Sequence, residues 1–177
     1  TPHYWTGDAR VDERTEISEW SVRHETDVAI DYIRNSNDSF RDSGKPFALF
    51  IAHNPPHMPF DQVPPEYRNS YASKTPADLL NRPNVSKENH DHPAFSSVLD
   101  YFAAITGIDE QFGRILAVLE EEGIADETIV VFTSDHGDMM GSHGLMGKDV
   151  WYDESFLVPF IIRWPGRIPP GETDLLF

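Results

Sequence analysis

A chain of 177 residues with 39% apolar side chains can bury a core of its own and suits one domain. Its 30 acidic and 14 basic residues leave a formal net charge of −16, which argues against a nucleic-acid backbone as partner and favours cations. The absence of cysteine excludes a disulfide framework, a thiolate metal site and a cysteine nucleophile. No apolar run approaches the ~18 residues that span a bilayer, and Thr1 to Arg14 is too polar for a signal peptide.

Residues 1–25 read as polar and irregular, with Trp5 and Trp20 as anchors. Thr26 reads as an N-cap, and Ala29, Ile30 and Ile33 predict a helix over 27–35. The apolar run 47–52 predicts a buried strand that ends in His53-Asn54-Pro55-Pro56-His57-Met58-Pro59-Phe60. Three prolines stiffen that knot, so His57 is a candidate site residue on a rigid loop. Residues 61–95 are rich in proline and polar side chains and read as an irregular excursion within the domain. His90 and His92 in it are expected to be solvated rather than metal-bound.

Apolar residues from Val98 to Leu119 recur at spacings of three and four, which predicts a helix over 95–122 closed by Gly123. A second continuous apolar run, Ile129 to Phe132, predicts a strand over 129–134 buried on both faces. Asp135 and His136 fall at its carboxyl end, where open α/β sheets place their ligands. A carboxylate beside an imidazole suits a divalent cation, and the same residues also suit a solvated turn. Glycines at 141, 144 and 147 allow tight turns, and Lys148, one of four lysines, suits an anion held beside a metal. A short helical turn at 151–155 and a strand at 159–164 complete an α/β layered pattern.

Taken in order, these stretches resemble the type I sulfatases of the alkaline-phosphatase superfamily. The resemblance rests on Thr133-Ser134-Asp135-His136-Gly137-Asp138, Gly141-x-His143-Gly144-Leu145-x-Gly147-Lys148 and Glu154-Ser155-x-x-Val158-Pro159-x-Ile161-Ile162-x-x-Pro165-Gly166. Upstream it includes Lys45-Pro46-Phe47, Asn54-Pro55-Pro56-His57-x-Pro59-Phe60 and Ala104-Ile105-Thr106-x-x-Asp109, and it covers residue 26 to the end. It implies a partial alkaline-phosphatase-like three-layer sandwich, α/β, with a mostly parallel central sheet flanked by helices. It further implies Asp135 and His136 as metal ligands for Ca²⁺, with Mg²⁺ or Mn²⁺ as alternatives. Lys148 and His57 match residues that contact the sulfate ester and act in its cleavage. The family supplies no role to transfer to His143, which by its place in the sequence is expected to order the Gly-rich loop or line the substrate pocket.

The substrate so implied is a small-molecule or carbohydrate sulfate ester, in a periplasmic, secreted or lysosome-like setting. The family nucleophile is a formylglycine made within Cys/Ser-x-Pro-x-Arg, and that motif is absent from this chain. The two N-terminal aspartates of the metal site and the C-terminal subdomain also lack counterparts. The chain therefore reads as a sulfatase-domain fragment, inactive alone, whose exposed sheet edges favour oligomers or marginal solubility. The alternatives are a phosphodiesterase or phosphonate monoester hydrolase of the same superfamily, and a non-catalytic metal- or anion-binding module.

Overall fold

The computed structural model describes residues 3–5, 14–86 and 91–173. It is an α/β assembly built on one long helix. Strands β1 (His3–Trp5) and β2 (Arg14–Glu16) pair antiparallel, so part of the segment expected to be irregular forms a ladder. Helix α1 (Ser21–Arg34) follows. It begins a turn and a half before the predicted N-cap, and Thr26 lies buried within it. The Trp20 carbonyl accepts from Arg23 N and His24 N and opens the first turn, so Thr26 has no capping role. Asn35 closes α1 in the left-handed conformation (φ 47°). Its side-chain oxygen accepts from the backbone N–H of Phe40 and Arg41, at 3.0 and 2.9 Å. Asparagine tolerates that conformation better than most residues.

Two short helices, α2 (Pro65–Asn69) and α3 (Pro76–Leu79), lie in the expected excursion, each with proline in its first turn. Both pack on α4 (Pro93–Glu121), the spine of the structure. Residues 61–86 are therefore more ordered than their composition suggests, and they bury Val63, Tyr67, Leu80 and Val85. His92 caps α4, its Nδ1 accepting from Ala94 N, which gives that histidine a structural task. His90 lies outside the described residues.

Three apolar clusters follow one another along α4. Ile115, Val118 and Leu119 meet Ile30 and Ile33 of α1; Ala103 and Ala104 meet Val63 and Tyr67; Ala94 and Val98 meet Leu80, Val85 and Met140. Trp20 lies on α4 at Gly107, where a Cβ would stand 2.6 Å from its ring. At the far end two of the three successive acidic residues 120–122 are paired. Glu120 meets Arg163 at 3.1 Å and Glu121 meets Arg34 at 2.9 Å.

The expected strand 47–52 joins no ladder among the described residues. Phe47 and Ile51 pack against the α1–α4 cluster, but Phe50 is 90% exposed. A run rich in apolar residues becomes a strand only where a neighbour satisfies its backbone. Strand β3 (Val130–Thr133) pairs antiparallel with β4 (Phe160–Arg163), with Val130 opposite Arg163 and Thr133 opposite Phe160. Helix α5 (Asp153–Phe156) lies between them in the chain. Burial of β3 on both faces does not hold here: Val131 is exposed, as are Phe160 and Ile161 of the paired β4.

Candidate active site

The carboxyl end of β3 delivers Asp135 and His136 into a tight polar turn. Ser134 Oγ donates to the His136 carbonyl at 2.8 Å, and His136 N donates to Asp135 Oδ1 at 3.0 Å. His136 Nδ1 lies 2.7 Å from the Gly137 carbonyl, so that nitrogen carries the proton. Its Nε2 lone pair then stands 3.6 Å from Asp135 Oδ2. One imidazole nitrogen and one carboxylate oxygen thus converge, and the other ring nitrogen is held by a carbonyl, an arrangement common in metal-binding histidines. Desolvation is the largest single influence and raises the Asp135 pKa, but its own backbone N–H, His136 and the Ser134 hydroxyl together outweigh it and hold the carboxyl below its usual value. Among the described residues no cluster of three or more His, Asp or Glu side chains suits a metal. Asp135 and His136 fit as two ligands of a larger set.

Gly137 fixes this turn against the rest of the site. Its N–H donates to the Ser155 carbonyl of α5 at 2.9 Å, and a Cβ on it would lie 2.0 Å from the Glu154 carbonyl oxygen. The next ten residues form a loop that closes on its own start. Asp138 Oδ1 accepts from Met140 N and Gly147 N, and Met139 N donates to the Gly147 carbonyl at 2.8 Å. Met139 and Met140 are buried and anchor the loop. Met140, Gly141, His143, Gly144, Gly147 and Asp149 all have positive φ. Such concentrations of costly backbone occur where function demands a shape. Closure of the loop brings the chain back at Lys148. That side chain is half-buried and forms no ion pair with any described residue, in a chain of net charge −16.

His143, at the loop's tip, stacks on Tyr152 with ring centroids 3.9 Å apart and planes 16° apart. Its backbone N–H donates to the Asn84 carbonyl, and Ser142 bridges to Val85. The buried Glu154 carboxylate joins the same two segments. It accepts from Asn84 Nδ2 at 2.7 Å and meets Arg82 Nη1 at 3.0 Å. The Asn84 amide foremost, with its own backbone N–H, Arg82 and Ser142, holds its pKa down at about 2 against an ordinary 4.5. A depressed acid contributes stability above its unfolded pKa and loses it as pH falls through the folded one. The difference in thermal midpoint between the wild type and Glu154→Gln is expected to be constant above about pH 4.5 and to shrink towards pH 2. A difference that does not change with pH would show the carboxylate to be uninvolved.

His57 stands apart from this group. It lies between the cis bonds Pro55-Pro56 and Met58-Pro59, with Nδ1 2.9 Å from the Met58 carbonyl. It borders a groove of about 1090 Å³ shared with Trp20, Glu25, Phe50 and Asn54. Asp135, His136 and Lys148 do not line that groove, and no hydrogen bond or ion pair joins them to His57. The structure thus sets Asp135 and His136 on one turn, His143 and Lys148 on the loop that follows it, and His57 on a separate loop. Reading the sequence overlooked Glu154 and Arg82 as organisers, and the His53–Glu25 pair at 2.6 Å beside the groove. A single carboxylate before an apolar strand and an arginine in a proline-rich segment carry no periodic signal.

The profile of the Sulfatase family matches residues 8–175. An endo-4-O-sulfatase of Bacteroides thetaiotaomicron is 38% identical over 99% of this chain and 34% of its own length. An arylsulfatase of Clostridium perfringens is 33% identical over 84% of the chain and 33% of its own length. A solved B. thetaiotaomicron structure, described under metabolism of multiple glycosaminoglycans, superposes with a TM-score of 0.91 at 38% identity, over 99% of this chain and 35% of that one. The chain spans about a third of the length of the curated relatives it matches.

Proposed function

The chain belongs to the sulfatase family, and on that premise we propose that the protein hydrolyses sulfate esters carried by carbohydrates. The observation that carries this reading is Lys148: a half-buried ammonium without a carboxylate partner among the described residues, at the close of the loop that follows the Asp135–His136 turn. An unpaired cation in an acidic protein suits an anionic group of substrate. Asp135 and His136 would hold a divalent ion, Ca²⁺ in our reading. When bound, that ion would draw charge from the sulfate oxygens. Lys148 donates to a sulfate oxygen and stabilises the charge that develops as the ester bond lengthens. His57, on its own stiff loop and apart from these three residues, is assigned to protonate the departing alcohol by the family resemblance alone. Formylglycine, the nucleophile implied by resemblance, has no precursor motif in this chain. The antiparallel β3–β4 pair we read as part of a three-layer sandwich with a mostly parallel sheet; the superposition on the glycosaminoglycan-related structure supports this.

The test is turnover by the full-length protein of 4-nitrocatechol sulfate and a sulfated disaccharide, beside phosphate and phosphonate monoesters. Sulfate esters are expected to react at least about tenfold faster, and a chelator to slow them. The reverse ranking would assign the site to phosphonate or phosphate chemistry. Calcium binding without turnover of either class would assign it to a non-catalytic module.

A further inference from the structure

Beside the Lys148 loop lies a group of residues that the chemistry above does not use. Arg82 is 58% exposed in its side chain, and its Nη1 lies 3.0 Å from Oε1 of Glu154, whose side chain is only 7% exposed. Asn84 donates to the same carboxylate, and the His143–Tyr152 stack lies next to it in both segments. A lone surface arginine spends rotamer entropy when it binds; one already held by a buried carboxylate spends less. The remaining edge of the fork presents parallel N–H groups that match a carboxylate or a sulfate. Flat rings beside such a fork suit the C–H face of a sugar, since ligand sites combine aromatic walls with a few fixed polar groups.

We propose that Arg82, with the His143–Tyr152 stack, forms an accessory subsite for a second, anionic sugar ring of the substrate, and that Glu154 is the positioning residue that holds it. The ligand class is a uronate-bearing or doubly sulfated oligosaccharide. The proposal rests on the carbohydrate sulfatase reading and adds to it the charge of the neighbouring ring. His143 and Lys148 belong to one closed loop, which connects the subsite to the proposed sulfate site.

In the full-length protein, Arg82→Gln is expected to lower kcat/KM for a uronate-bearing sulfated disaccharide about tenfold relative to kcat/KM for 4-nitrocatechol sulfate, through KM. Arg82→Lys is expected to restore part of that loss. Glu154→Gln is expected to give a smaller loss of the same kind, in KM rather than kcat. An equal effect on both substrates, or no effect on either, would overturn the subsite. Calorimetric titration with the same disaccharide, stripped of its sulfate, separates this claim from the sulfatase reading. Binding that weakens in Arg82→Gln supports the subsite even if no sulfate ester is cleaved. Binding of equal strength in both proteins overturns it even if sulfate esters are cleaved.

Discussion

Lys148→Ala in the full-length protein is expected to lower kcat for sulfate-ester hydrolysis by roughly 10²–10³, the range seen when one preorganised donor to a developing charge is removed. The side chain is half-buried and has no ion-pair partner among the described residues, so among them its loss leaves no carboxylate without a partner. Stability is therefore expected to stay within about 0.5 kcal/mol of the wild type, as for most substitutions away from packed features. A steady-state comparison with a urea unfolding curve on the same preparation checks both parts. If kcat is unchanged, Lys148 does not meet the reacting group. If kcat and stability fall together, the lysine is a structural residue of the loop.

Gly137→Ala is expected to be the most damaging single-methyl addition around the site. The added Cβ would stand 2.0 Å from the Glu154 carbonyl oxygen, and that oxygen is backbone, so no side-chain rotation relieves the clash. Either the Asp135–His136 turn or the start of α5 must move, and the hydrogen bond from Gly137 N to the Ser155 carbonyl breaks with it. A loss of about 3 kcal/mol is expected, the size that overpacking reaches when the surroundings cannot yield. Gly144→Ala is the internal comparison. Gly144 has φ +70° but open space around it, so only the left-handed backbone penalty applies, about 1–2 kcal/mol. Unfolding curves of the two variants rank steric closure against backbone strain. Equal losses would mean that the α5 contact yields easily.

The sequence was informative where a period or a motif dominates. The long helix shows its three-and-four spacing from Val98 to Leu119, and α4 forms over Pro93–Glu121, close to the expected 95–122. The end of β3 and the polar turn after it were legible because apolar and polar residues change abruptly at Ser134. Helix α1 was read short because only Val22 extends its apolar face beyond Thr26, and that cap signal was a buried helical threonine. The strand at 47–52 failed for a different reason. Its apolar composition reports what it could bury, whereas a ladder needs a neighbour, and none pairs with it among the described residues. Glu154 and Arg82 were invisible because they act across 72 residues of sequence, by an ion pair that no local pattern encodes.

The burial of Met139 and Met140 has a consequence for how the loop is ordered in time. A stretch with glycines at 141, 144 and 147 would by composition sample many shapes. Here its first residues are packed, Met140 among Ala94 and Val98 of α4, and its amides at Met139 and Gly141 are bonded to Gly147 and Leu145 within the loop. Local opening therefore requires Met140 to leave the helix, so the loop and the amino-terminal turns of α4 form one cooperative unit. Amide exchange in the loop follows the opening of the helix rather than that of a surface segment. Lys148 follows directly on Gly147, whose carbonyl and amide close that loop, so its backbone is tied to the same unit.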